Sequence, residues 1–194
     1  MKKGNDKIWH ELTIGQFQQL QNLGHLEVFD QMKSVVSIAD GVSIADVDEM
    51  ALADVQKRAV AIMDGLEKMP FTPFKSNMWI DGKRWKIVRM FDELKTNQMV
   101  EYFHWTREKS SVEIIANLHN IMATLMIENP MFGKIEKYDG TNHKHRAEMV
   151  QREMKIIDAM SVANFFLVTW MEFTNNIPGF LETMMTKMKT EGIN

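Results

Sequence analysis

A mainly α-helical fold, a multi-helix bundle with one inserted β-hairpin at about residues 77–88, is predicted by three features of the chain. Glu11-Leu12-Thr13-Ile14-Gly15-Gln16-Phe17 recurs as Glu93-Leu94-Lys95-Thr96-Asn97-Gln98-Met99, each copy opening an apolar segment of helical spacing. Between them Asp81-Gly82 is flanked by Trp79-Ile80 and Lys83-Arg84-Trp85. This is the strongest short-range hairpin signal, because both turn positions need positive φ. Most other segments place apolar residues three and four apart, the helical period. The layout reads as an N-terminal helical half (1–75), a hairpin (76–90) and a C-terminal helical half (91–194), expected to form one compact unit.

Thr13-Ile14-Gly15-Gln16 has the spacing of a capping box, and Ile14, Phe17, Leu20 and Leu23 form a stripe that Gly24 should stop. A second helix is expected over about 26–38 with Phe29, Met32, Val35 and Val36 inward, then a short one capped by Ser43. The next, roughly 53–68, carries Val55, Ala59, Ile62, Met63 and Leu66. Pro70 and Pro73 close this half, with Phe71 and Phe74 expected to anchor the linker in the core. In the hairpin, period-two alternation turns Trp85 and Ile87 toward the helices and Arg84, Lys86 and Val88 away. A helix over 98–109 follows, with Met99, Tyr102 and Phe103 on one side. A long one over 112–128, capped by Ser111 and ended by Pro130, has a wide apolar face of Ile114, Ile115, Leu118, Ile121, Met122, Leu125 and Met126. Residues 131–145, with Asp139-Gly140-Thr141-Asn142, read as a surface loop. A helix over about 146–175, broken near Ser161, should bury Phe165, Phe166 and Trp170, and an amphipathic helix follows Pro178-Gly179.

With 194 residues the chain can bury roughly 70% of its unfolded surface, so no covalent staple is needed. The formal charge of −3 gives no overall pull toward nucleic acid or anionic lipid. The absence of cysteine excludes disulfides, thiolate metal sites and cysteine nucleophiles together, and it fits a reducing cytoplasm. Met1 to Asp6 lacks the apolar stretch of a signal peptide, and Asp158, Asn164 and Glu172 interrupt the one membrane-like segment, 156–173. Eighteen methionines read as flexible core filler or as an adaptable protein-contact surface, the latter near Met184, Met185 and Met188.

Motifs of chemistry are missing: no glycine-rich phosphate loop, no Gly-x-Ser-x-Gly and no His-Glu-x-x-His. Asp46 and Asp48 begin a calcium-loop spacing that is not completed. His143 and His145 would bind metal only if His104, His119 or Asp139 folded over them, so a solvated polar loop is expected instead. His119, beside Leu118, reads as a partly buried histidine rather than a catalytic base. Lys83, Arg84, Lys86 and Arg89, interleaved with Trp79 and Trp85, could meet single-stranded nucleic acid by stacking and phosphate contacts. Basic residues on a hairpin also guard against edge pairing, and an outward arm gripping another protein is the preferred reading.

Leu12-Thr13-Ile14-Gly15-Gln16-Phe17, the Trp79-to-Ile87 hairpin before Thr96-Asn97-Gln98-Met99, and Asn164-Phe165-Phe166-Leu167 together resemble small helical proteins encoded among the structural genes of tailed bacteriophages, including large podoviruses of Bacteroidetes hosts. The resemblance implies a non-enzymatic virion role as a neck or tail component, or as a tail assembly chaperone. It also implies many copies, an oligomeric ring or contacts with other phage proteins, and a virion location after synthesis in the host cytoplasm. It carries over no functional residues. A globular length without a coiled coil speaks against a scaffold role, and a cytoplasmic helical binding or regulatory module is the alternative. No cofactor, metal, catalytic residue, nucleic acid or membrane is expected. The expected protein interface is Arg84 and Lys86 on the hairpin with Met184 and Met188 near the C-terminus, beside Lys187 and Lys189.

Overall fold

A computed structural model describes residues 7–67, 69–88, 93–131 and 138–163. The chain is mainly helical with one small antiparallel sheet. In order come α1 (Lys7–Glu11), α2 (Ile14–Gln21), α3 (Val28–Asp40), α4 (Ile44–Asp48) and α5 (Leu52–Leu66). The hairpin strands β1 (Asn77–Ile80) and β2 (Lys83–Ile87) follow, then α6 (Thr96–Thr106), α7 (Ser111–Ala116), α8 (Leu118–Leu125), β3 (Met126–Glu128) and α9 (His143–Glu153). Residues 156–163 are again helical. Ile8, Leu12, Ile62, Ile87, Met122 and Ile157 belong to one buried apolar cluster, so both helical halves and the sheet share a core.

The hairpin turns through Asp81 at φ 51° and Gly82 at φ 69°, the two left-handed positions its sequence calls for. Its register pairs Met78 with Trp85 and Trp79 with Arg84. Met78, Ile80, Trp85 and Ile87 form the buried face. N-terminal capping follows the sequence closely. Thr13 Oγ1 accepts from the Gln16 amide while Gln16 Oε1 accepts from the Thr13 amide, at 3.2 and 3.0 Å. Ser43 and Asp46 make the same exchange, as do Ser110 and Glu113.

The repeated Leu-x-x-x-Gln element is repeated structurally as well. Leu12 and Leu94 are both buried, and each glutamine takes the backbone N–H three residues before it. Each then extends its Nε2 to a distant carbonyl: Gln16 to Ile38 O at 2.7 Å, Gln98 to Thr124 O at 3.0 Å. These carbonyls lie in the last turns of α3 and α8, where no intrahelical donor follows. The end of α8 is supplied from several elements: Arg146 Nη1 donates to Ala123 O and Met126 O, Gln98 to Thr124 O, and the Val88 amide to Leu125 O. Trp9 Nε1 likewise donates to Gly65 O of α5 at 3.0 Å.

Several sequence expectations are corrected. The single helix over 112–128 is α7 and α8, parted at Asn117, whose side-chain amide bonds Glu113 O. Its cap is Ser110 rather than Ser111, and its last residues are the third strand, so Pro130 ends nothing helical. Ile114 and Ile115 are only half-buried. The helix expected from 146 begins at His143 and is interrupted at Met154–Lys155, not near Ser161. There the chain pairs with Thr13: Ile14 N–H meets Met154 O at 3.0 Å and Ile156 N–H meets Leu12 O at 2.9 Å. This antiparallel bridge takes both groups out of helical bonding.

Helix α2 stops at Gln21, before Gly24, in a 3-10 turn. Phe71 is 93% exposed while Phe74 packs against the core. Residues three apart in an extended linker point to opposite sides, so the two rings cannot both go inward. Phe29, in the first turn of α3, and Met63, one position past the buried Ile62, are half exposed. Val88 is buried instead of facing out, because β2 ends at Ile87 and the Val88 amide turns in to Leu125. Phe165, Phe166, Trp170 and the helix after Pro178 lie outside the described residues.

Candidate protein-interaction surface

Alternation along β1 and β2 produces a second, outward face of the sheet. Asn77 opposes Lys86 and Trp79 opposes Arg84, with Ile127 of β3 beside Lys86. Trp79 is 65% exposed, unusual for the largest side chain in a short strand. Arg84 and Lys86 are half-buried on the same face, as the alternation requires. Sequence reasoning missed Trp79 as a member of this face. The signal was available: a two-residue turn at Asp81-Gly82 places Trp79 opposite Arg84.

The cationic character of this region is largely neutralised locally. Lys83 Nζ lies 2.8 Å from Glu128, Lys86 Nζ 3.3 Å from Glu93, and Lys75 Nζ 2.6 Å from Asp158. Arg84 alone of these cations makes no ion pair among the described residues. The sheet is also less open than a two-stranded arm. Strand β2 is flanked by β1 and β3, and the free edge of β1 lies beside Met154, Lys155 and Asp158. Arg89, Met184 and Met188 lie outside the described residues.

The histidine pair is separated by its helix. His145 is exposed, whereas His143, two residues earlier in the first turn of α9, points into a polar cluster. His143 Nδ1 lies 3.3 Å from Glu101 Oε2 and 3.2 Å from the Tyr138 hydroxyl, which itself donates to Glu101. Arg146 stacks over the Tyr138 ring at 4.8 Å and donates to Asp139 O at 2.7 Å. Burial lowers the His143 pKa below the ordinary value; Glu101 opposes that shift and Arg146 adds to it. Burial followed by the Glu101 carboxylate raises the Tyr138 pKa. His119 is lowered by burial and by His143. Tyr102 is pushed up to about 12 by burial. Through the contacts of His143 Nδ1 and the Tyr138 hydroxyl with Glu101, the cluster ties the start of α9 to α6.

Among the described residues no group of three histidine, aspartate or glutamate side chains could hold a metal ion. None of their helices is long and apolar enough to cross a membrane. Comparisons with protein-family models, with curated proteins and with solved structures found no match.

Proposed function

We propose that this chain is a non-enzymatic structural protein of a tailed-phage particle, a neck or tail component that acts through protein–protein contacts in a multi-copy assembly. The observation that carries the contact reading is the outward sheet face, where Trp79 stands 65% exposed opposite Arg84 and next to Lys86. Tryptophan and arginine are the side chains most enriched among residues that dominate protein interfaces. A tryptophan held on a paired strand loses little further freedom on binding. The resemblance of the capping, hairpin and aromatic segments to phage structural-gene products supplies the setting.

Mass spectrometry of purified particles of the virus encoding this chain is expected to find it in several copies per particle. The double variant Arg84→Glu/Lys86→Glu is expected to keep its helical content yet stay out of particles. Its ion pair with Glu93 is exposed, so losing it costs at most about 1 kcal/mol of stability. Finished particles that lack the protein, or that incorporate the double variant normally, would overturn the reading.

A further inference from the structure

No lysine, arginine or histidine occurs between Lys33 and Lys57, a stretch that holds Asp40, Asp46, Asp48, Glu49 and Asp54. It forms the corner where α3 gives way to α4 and α5, and every residue from 40 to 54 is exposed except Val47. Three of the carboxylates are engaged locally. Asp40 pairs with Arg58, Asp48 lies 3.1 Å from Lys33 Nζ, and Asp46 accepts from the Ser43 amide at 3.0 Å to cap α4. Glu49 and Asp54 make no ion pair or side-chain hydrogen bond among the described residues. Glu49 stands two positions after the buried Val47, on the opposite side of a helical turn, and so faces solvent. Around these carboxylates lie Val42, Ile44, Met50 and Leu52, 38–54% exposed. Large apolar side chains gathered within a polar rim mark a contact surface rather than a solvated turn.

The outward sheet face has the opposite sign. Residues 75–89 hold Lys75, Lys83, Arg84, Lys86 and Arg89 against Asp81 alone. Lys75 and Lys83 are paired with Asp158 and Glu128. Arg84 makes no ion pair among the described residues, and the 3.3 Å contact of Lys86 with Glu93 is open to solvent. Trp79 adds exposed apolar surface opposite Arg84. Each patch therefore combines unanswered charge with apolar surface, and the charges are complementary. They lie on different elements, since α4 packs on α3 while β1 packs on β2 and α9. Unlike patches on one subunit join copies head to tail, closing a ring or running on as a filament.

We propose that the acidic corner of one copy, residues 40–54, docks on the outward sheet face of the next. Glu49 and Asp54 meet Arg84 and Lys86, while Ile44, Met50 and Leu52 cover Trp79. The inference rests on the protein-contact reading of the sheet face and names its partner as a second copy of this chain. Opposite charges orient the encounter, and burial of the apolar surface holds it.

Sedimentation velocity of the purified full chain is the test. The parent is expected to self-associate, and to do so less as NaCl rises from about 0.15 to about 1 M, which cuts the screening length from about 8 to about 3 Å. Arg84→Glu/Lys86→Glu and Glu49→Lys/Asp54→Lys should each weaken association at least about tenfold, because each brings like charges together. Asp46 stays in place because it caps α4. Circular dichroism should show the parent's helical content in both variants. A chain carrying all four reversals regains opposite signs and is expected to associate again, a recovery that misfolding cannot produce. A parent that stays monomeric up to about 1 mM overturns the proposal. Such a monomer would still leave Arg84 and Lys86 able to meet a different protein, so this failure is distinct from a failure to enter particles. Association indifferent to either double reversal, or a fourfold variant that remains monomeric, overturns the proposal as well.

Discussion

Replacing Gln98 by methionine tests whether a remote carboxamide holds the end of α8. Gln98 is 0% exposed, accepts from the Lys95 amide at 3.1 Å and donates to Thr124 O at 3.0 Å. Methionine keeps the length and nearly the volume but removes both bonds. The Lys95 amide, on an exposed residue, turns to water at a loss of about 0.5 kcal/mol. Thr124 is itself 0% exposed, so its carbonyl is left dry and unpaired, at about 1–3 kcal/mol. Relief from burying the carboxamide returns a fraction of this, and about 2 kcal/mol of destabilisation is expected. Gln98→Ala also removes the Cγ methylene and leaves a void where the carboxamide sat, bringing the loss to about 3–4 kcal/mol.

The matched control is Gln16→Met, whose partner Ile38 O is only half-buried at 2.7 Å. Water can replace that bond, and about 0.5–1 kcal/mol is expected. Urea unfolding followed by helical ellipticity reads the difference. With a slope of about 2–3 kcal/mol/M, Gln98→Met should lower the midpoint by about 0.7–1 M. Equal effects at Gln16 and Gln98, or a Gln98→Met midpoint matching the parent, would refute the claim that the buried carbonyl governs the loss.

Acid should weaken the fold through His143 and His119, whose folded-state pKa values lie below the ordinary 6.5 mainly because of burial. The unfolded chain takes up these protons first, so their share of stability is full above that value and is lost as pH falls below it. Urea midpoints measured from about pH 7.5 to 5.5 should fall less steeply in His143→Gln. Gly15→Ala should destabilise by about 1–2 kcal/mol, because the Gln151 carbonyl 3.0 Å away must move and the gain in helix propensity recovers only part. Gly24→Ala, with nothing within 4 Å, should leave thermal stability unchanged or slightly raised. Trp85→Ala should cost about 3–5 kcal/mol, since the indole is buried and donates to Ile80 O at 3.2 Å. Trp79→Ala on the outer face should stay within about 0.5–1 kcal/mol in the same unfolding assay.

The outer face of the hairpin was legible because β-structure has a strict two-residue period and the turn fixes its register. Arg84 and Lys86 follow from that rule, and Trp79 follows once the pairing is counted through Asp81-Gly82. Glu93 and Glu128, which neutralise Lys86 and Lys83, were not legible, since the strand pattern carries no sign of them. The bonds of Gln18 to Ile115 O, Ala116 O and Gln151 Nε2 were invisible for a related reason: these segments meet only in the folded chain.

What the sequence determined by itself lies within a few residues of each signal. Thr13, Ser43 and Ser110 bond to amides three positions on, and Asp81-Gly82 closes a turn between adjacent strands. Helical stripes such as Val55, Ala59 and Ile62 belong to the same class. Helix C-termini are another matter here. Carbonyls near the ends of α3, α5, α7 and α8 are met by Gln16, Trp9, Gln18 and Gln98, from 22 to 97 residues away in the chain. The same holds for β3, which leaves α8 because β2 offers it a ladder, and for the interruption at Met154–Lys155, which Thr13 imposes from across the fold. A glutamine three residues into a helix announces its local cap, but its second hydrogen-bonding group takes whatever carbonyl packing brings near. Local chemistry therefore wrote where α2, α4 and α7 begin, whereas the carbonyls near the ends of α3, α5, α7 and α8 take partners that only the tertiary structure supplies.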